Sequence, residues 1–262
     1  MGDATGIEWT SKTWNPWQGC TKVSPGCKHC YMFAEKTWYG QDPAVVVRSS
    51  PQTFNSPISV HGANATKGVP GSWKWEDGKM VFTCSWSDWF HKNADAYRDD
   101  AWAIIKARPG LHFQILTKRP ENIASRLPAD WGPEGYPNVW LGVSVESQEY
   151  ADKRIPVLSE IPAAVRFLSM EPLLAPVALS GTENIDWIIV GGESGRKARP
   201  MDPAWARMIR DHCDEENIPF FFKQWGAHDA VGKRVGKKVA GCELGGLERK
   251  EFPLGLVYQA GA

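Results

Sequence analysis

Six short apolar runs recur along the chain, at residues 80–84 (MVFTC), 111–116 (LHFQIL), 139–143 (VWLGV), 165–169 (VRFLS), 186–190 (DWIIV) and 218–222 (IPFFF). They start roughly 20–30 residues apart, the length of a βα repeat. Runs of this kind read as parallel strands covered on both faces. Helical patterns lie between them. Residues 94–107 place Ala101, Ile104 and Ile105 on one face, and residues 203–213 open with Asp202 as N-cap and Pro203 at the first helical position. Ahead of the first run, residues 13–17 form a candidate strand that leads through a cysteine-rich loop into a helix from about Tyr31 to Trp38. The pattern predicts an α/β fold, a partial parallel (β/α) barrel of about six to seven strands. An open doubly wound sheet is the alternative.

Two stretches depart from this alternation. Residues 41–79 are rich in Pro, Gly, Ser and Asn and read as a helix-free insertion between the first helix and the second strand. Residues 226–262 read as a Gly- and Lys-rich hairpin and tail packed on a barrel domain of residues 1–225. No internal repeat appears beyond the βα alternation.

Each run is followed by polar residues where a βα barrel carries its chemistry, at the carboxyl ends of the strands. These are Ser85, Ser87 and Asp88; Thr117, Lys118 and Arg119; Ser144 and Glu146; Glu171; Gly191, Gly192, Glu193 and Ser194; and Lys223, Gln224 and Trp225. Loop polarity explains any one group, but six in succession, several with carboxylates directly after apolar strands, mark one end of the sheet. The chain has 14 tryptophans, of which Trp14, Trp17, Trp86, Trp89 and Trp225 lie near these groups. Two readings stay open for them: core filling, or flat walls that stack on a base.

Charge and length narrow the classes. The 262 residues are 42% hydrophobic, enough for a substantial core, and 30 basic residues balance 30 acidic ones. Net neutrality argues against coating nucleic acid through bulk charge but leaves a local basic groove open. No stretch reaches the roughly 18 apolar residues of a membrane helix. The N-terminus lacks an apolar signal core, and Gly6 stands where a myristoylation signal needs Ser or Thr, so a cytoplasmic protein with no membrane partner is expected.

Of six cysteines, Cys20, Cys27 and Cys30 fall within eleven residues, while Cys84, Cys213 and Cys242 are scattered. A disulfide framework belongs to short secreted chains, so the triplet points to metal. Its spacing is C-x6-C-x2-C, with Pro25-Gly26 able to turn the chain back and Lys22 and Lys28 to offset thiolate charge. Iron–sulfur clusters usually take four protein thiolates and structural zinc four ligands, so three leave one position open. Zinc completed by His29, His61 or Cys84 is the rival, although no fourth ligand stands at regular spacing. Cys84 reads as a small buried residue at a strand end. The segment GGESG lacks the Lys-Ser/Thr of a phosphate loop and reads as a tight turn. Arg196, Lys197 and Arg199 read equally as phosphate ligands or a solvated loop, and residues 233–238 as a solvated hairpin, with nucleic-acid contact as the alternative.

A three-cysteine loop after the first strand of a βα barrel resembles the radical S-adenosylmethionine (SAM) superfamily, whose common spacing is C-x3-C-x2-C; here the first gap is six. The wording W-N-P-x-x-G-C-T-K-V-S-P-G-C-K-x-C-Y is more closely similar to a family of phage and bacterial proteins of unassigned function that carry this loop variant. The blocks T-K-R-P, G-V-S-V-E, S-x-E-P-L, G-G-E-S-G and K-Q-W-G extend that likeness over residues 7–253. The resemblance implies a [4Fe–4S] cluster on Cys20, Cys27 and Cys30 and SAM on its open iron. It further implies a 5′-deoxyadenosyl radical and a flavodoxin- or ferredoxin-like reductant. By position, Ser85, Ser87 and Asp88 would hold the SAM amino group, and Ser144 and Glu146 its ribose. Thr117 and Lys118 would complete the cofactor contacts, with Lys118 or Arg119 on a carboxylate or substrate phosphate. Glu171, Glu193 and Lys223 would touch substrate. A nucleic-acid base or nucleotide is the favoured substrate class. The alternative is a zinc- or cluster-stabilised nucleic-acid-binding protein without radical chemistry; a cluster used for sulfur or electron transfer is a third reading.

Overall fold

The computed structural model of the chain describes residues 5–61 and 73–253. These fall into two compact units. One comprises the described residues of Met1–Lys22, Met32–Leu141 and Ile161–Ala164, and the other those of Val23–Tyr31, Gly142–Glu160 and Val165–Ala262.

The first unit carries strands β1 (Lys12–Thr13), β2 (Met80–Thr83) and β3 (His112–Thr117), paired parallel with Lys12 opposite Val81 and Met80 opposite His112. Helix α1 (Tyr31–Trp38) falls almost wholly within it, and α2 (Asp95–Lys106) buries Arg98, Ala101, Trp102 and Ile105 on one face. The first strand ends earlier than residues 13–17 suggest. Trp14 still donates its N–H to the Phe82 carbonyl at 2.9 Å, but Pro16 has no N–H to continue a ladder. Trp17–Gln18 instead pairs antiparallel with Val47–Arg48. The insertion is not helix-free either. Pro51–Phe54 forms a helical turn whose Thr53 N–H is capped by Ser50, and Phe54 enters the core against Trp14. Residues 62–72 of that insertion lie outside the described residues.

Strand β4 (Val139–Ser144) crosses the unit boundary between Leu141 and Gly142. The second unit adds β5 (Val165–Met170), β6 (Trp187–Gly191) and β7 (Phe220–Gln224), parallel to one another, with helices α3 (Gln148–Ser159) and α4 (Pro203–Glu216). Every residue of β2, β4, β6 and β7 is buried, as strands covered on both faces must be. The α4 signals hold: Asp202 accepts from the Ala204 N–H at 2.8 Å, and Asn217 ends the helix in the left-handed region at φ 56°.

The fold is α/β with a seven-stranded parallel sheet whose strands follow chain order, β1 to β7. No strand crosses over to reverse the order, so there is no topological switch point and the doubly wound alternative is set aside. Helices do not fill every connection. The β3–β4 segment holds only the short 3-10 turns Pro120–Asn122 and Ala124–Arg126 before Pro128, Pro133 and Pro137, and the β5–β6 segment is broken by Pro172, Pro176 and Gly181. In the tail the expected hairpin is Glu243–Leu244 against Leu247–Glu248. Residues 233–238 are not a hairpin of their own: His228 bridges Arg234, and a helical turn Lys237–Ala240 follows. Residues 254–262 lie outside the described set. No helix among the described residues is long and apolar enough to cross a membrane.

The tryptophan question divides. Trp14, Trp17 and Trp89 are buried in one aromatic cluster, with Trp89 4.8 Å from Trp17 and 5.0 Å from Trp102 between ring centroids. Trp225 is also buried, and Trp86 alone of the five is half-buried.

Candidate cofactor site

In the first unit, the loop after β2 is stitched to the segment that carries Cys20. Asn15 donates from Nδ2 to Ser85 Oγ at 2.9 Å and accepts the Trp86 N–H at 2.8 Å, while Ser87 Oγ donates to the Gly19 carbonyl at 2.5 Å. Asp88 is the centre of this network. Its carboxylate accepts from the Phe90 N–H, Thr117 Oγ1 at 2.7 Å, the Lys118 N–H at 2.9 Å and Arg119 Nη1 at 3.1 Å. Arg119 spends its remaining donors on the cysteine segment: Nη1 lies 3.6 Å from Cys20 Sγ, and Nη2 reaches the Thr21 carbonyl at 2.7 Å and its hydroxyl at 2.8 Å. Both members of the ion pair are buried. Burial alone would lower the arginine's pKa, but the Asp88 carboxylate and the Cys20 sulfur raise it on balance. His91, 3.1 Å from the Thr21 hydroxyl, is held below its ordinary value by burial and then by Arg119. The structure thus brings Ser85, Ser87, Asp88, Thr117 and the Lys118 backbone around Cys20, with the side chains largely committed to protein partners.

In the second unit, two buried carboxylates fix the segment that carries Cys27 and Cys30. Glu146 Oε1 accepts from Ser24 Oγ and, at 3.3 Å, from the Gly26 N–H; Oε2 accepts from Arg154 Nη1 at 2.7 Å. A side chain at Gly26 would put its Cβ 2.9 Å from Glu146 Oε1, so the loop needs glycine to approach this closely. Arg154 also donates to the Ser144 carbonyl at 2.7 Å. The second carboxylate, Glu193, is gripped by Arg199 through Nη2 at 2.6 Å and Nε at 2.8 Å, and Arg199 Nη2 reaches on to the Pro25 carbonyl at 3.1 Å. Glu146, expected on a ribose, and Glu193, expected on substrate, therefore both act on the cysteine loop here.

Sequence reasoning missed Arg154. Its signal was present: Ala151, Arg154, Ile155 and Leu158 share the buried face of α3, and an arginine on an apolar face needs a buried anion.

Burial would raise the Glu193 pKa, but Arg199 more than offsets this and holds it below the ordinary carboxylate value. A depressed carboxylate adds stability above its unfolded pKa and loses it as pH falls through the lowered one. The stabilisation of wild type over Glu193→Gln is therefore expected to be constant at neutral pH and to shrink below about pH 4. Urea midpoints measured across that range check this; a difference independent of pH would show that the clamp contributes nothing through charge.

The third cluster pairs Lys223 Nζ with both Glu171 oxygens at 2.8 and 2.9 Å, and Gln224 Nε2 donates to Ser194 Oγ at 3.1 Å. This pair keeps partial exposure, with side chains 11% and 19% accessible. In the GGESG segment a Cβ on Gly192 would collide with the Trp225 carbonyl, so this tight turn needs glycine there.

All six cysteines are free. Burial pushes the Cys84 thiol far up and Cys213 to about 12, which makes both inert packing groups. The donor chemistry of Cys20, Cys27 and Cys30 suits iron–sulfur or zinc: they are free thiols, and the Arg119 guanidinium stands beside Cys20. Among the described residues, however, no three His, Cys, Asp or Glu side chains are gathered as a formed metal site. The chain passes from one unit to the other between Lys22 and Val23, so Cys20 belongs to the first and Cys27 and Cys30 to the second.

A family model described as a protein of unknown function (DUF5131) matches residues 4–253. The chain belongs to that family. No curated protein and no solved structure matches the chain. Membership thus spans both units, the cysteine segment and the carboxylate clamps alike, and the family's description assigns them no activity.

Proposed function

We propose that the chain is a radical SAM enzyme whose Cys20, Cys27 and Cys30 hold a [4Fe–4S] cluster. The observation that carries the reading is the way buried charge fixes the cysteine segment in each unit, through Arg119 at Cys20 and through Glu146 at Ser24 and Gly26. Ion pairs this buried are costly to assemble and serve to hold a geometry. When bound, such a cluster with SAM supplies a 5′-deoxyadenosyl radical that abstracts hydrogen from inert carbon. Asp88, Thr117 and Arg119 orient the part of the segment that carries Cys20, and Arg154, through Glu146, and Arg199 orient the part that carries Cys27 and Cys30. Ser85, Ser87, Lys118 and Ser144 belong to the residues offered for SAM. Glu171 with Lys223 forms a paired acid and base at strand ends, placed to bind or move a proton on substrate. A flavodoxin- or ferredoxin-like protein of a reducing compartment is the expected electron donor.

The test starts from protein purified without oxygen, reconstituted with iron and sulfide, reduced and given SAM. Iron and sulfide uptake with release of 5′-deoxyadenosine is the expected result, and Cys27→Ala should lose both while keeping its far-ultraviolet circular dichroism. Stoichiometric zinc with no iron uptake would favour the non-catalytic alternative instead.

A further inference from the structure

The loops that follow β6 and β7 are distant in sequence but joined in the fold. The Ala227 N–H donates to the Glu193 carbonyl at 2.9 Å, Arg234 Nη2 donates to the Gly195 carbonyl at 2.9 Å, and the Val235 and Gly236 N–H groups both reach the Ala227 carbonyl. Residues 193–199 and 228–238 thereby form one surface with seven cations, Arg196, Lys197, Arg199, Lys233, Arg234, Lys237 and Lys238, against two carboxylates, Glu193 and Asp229. Neither carboxylate neutralises the rest. Glu193 is held by Arg199, and Asp229 accepts the Val231 and Lys233 backbone N–H groups at 3.1 and 2.8 Å.

The remaining cations differ in this from paired surface lysines elsewhere in the chain. Lys106 pairs with Asp130, and Lys153 with Glu149. Among the described residues, Arg196, Lys197, Lys233, Lys237 and Lys238 are exposed and form no ion pair. In a chain of zero net charge this is a local concentration and not a consequence of composition. Adjoining it, a cavity of about 670 Å³ is lined by Trp225, Ala230, Val239 and Gly241, with Arg207, Asp229 and Glu243 also on its wall. Cations that track phosphates beside a recess with both apolar and hydrogen-bonding walls are a means by which proteins bind strands whose bases are unstacked.

We propose that this face binds the sugar–phosphate backbone of a single-stranded nucleic acid, with an unstacked base entering the cavity. The proposal stands on the surface alone and does not depend on a cluster at the cysteines, so the two readings can fail separately. The full chain is titrated into fluorescein-labelled single strands of about 20 nucleotides, and anisotropy is read between about 50 and 200 mM salt. Binding that weakens with salt is expected. The variant Lys233→Glu/Lys237→Glu/Lys238→Glu changes three exposed side chains and should bind roughly tenfold or more weaker at about 100 mM salt, with a salt slope lower by about 2. Lys153→Glu, on α3, should bind like wild type. Three results overturn the proposal: no binding at the lowest salt, equal affinity in the triple variant, or a preference for duplex or for anionic phospholipid vesicles over the single strand.

Discussion

Arg119→Met is expected to destabilise the first unit by about 3–5 kcal/mol, the cost of leaving a buried carboxylate without its cation. Asp88 and Arg119 are 5% and 6% exposed, so water cannot replace the lost partner. Asp88 would keep the Thr117 hydroxyl and the Phe90 and Lys118 N–H groups, which are dipoles and not charges. The same change releases the Thr21 carbonyl and hydroxyl and the contact to Cys20, so the cysteine segment should loosen together with the stability loss. Arg119→Lys should recover only part, because one ammonium cannot reach Asp88 and Thr21 as a planar fork does. Adding Asp88→Asn to Arg119→Met should also recover part by removing the stranded charge. Urea unfolding followed by tryptophan fluorescence measures this, since Trp14, Trp17 and Trp89 belong to the same unit. A loss below about 1 kcal/mol for Arg119→Met would mean that the pair does not hold the segment.

Trp89→Ala should cost about as much, roughly 3–5 kcal/mol, by the different route of an empty core volume. Trp89 is fully buried and touches Trp14, Trp17 and Trp102, so none of these rings can collapse inward without leaving its own packing. A finer comparison tests the polar side of the same cluster. Trp14 Nε1 donates to the Phe54 carbonyl at 3.0 Å, whereas Trp89 Nε1 is buried without a hydrogen-bond partner. Trp14→Phe leaves a buried carbonyl unsatisfied and should cost about 1–3 kcal/mol beyond lost contact, while Trp89→Phe removes an unsatisfied donor and should cost less. Equal losses in the two phenylalanine variants would contradict this assignment of the hydrogen bonds.

These two sites show what kind of information was readable in advance. Asp88 and Arg119 were both visible as polar residues after apolar strands, but their pairing was not. A carboxylate at a strand end suits a cofactor hydroxyl as well as a guanidinium, and only the position of the next strand's loop decides between them. The same holds for Glu146 and Glu193. Their residue type was legible, and their occupation by Arg154 and Arg199 required knowing where α3 and the loop after β6 come to lie.

The sequence alone determined the strands β2 to β7 to within two residues and helices α1, α2 and α4 closely, because short apolar runs, caps and prolines act through neighbours along the chain. It also determined which residue types stand at the strand ends and where the three cysteines sit. Tertiary structure decided what those residues do. It ended β1 at Thr13, left the connections after β3 and β5 without α-helices, and buried four of the five tryptophans beside the polar loops. It brought Glu146 onto Ser24 and Gly26, and Glu193, through Arg199, to the Pro25 carbonyl of the cysteine segment. It also joined residues 193–199 and 228–238 into one cationic surface. Hydrogen bonds and ion pairs between distant segments depend on three-dimensional distance, which local propensity does not encode.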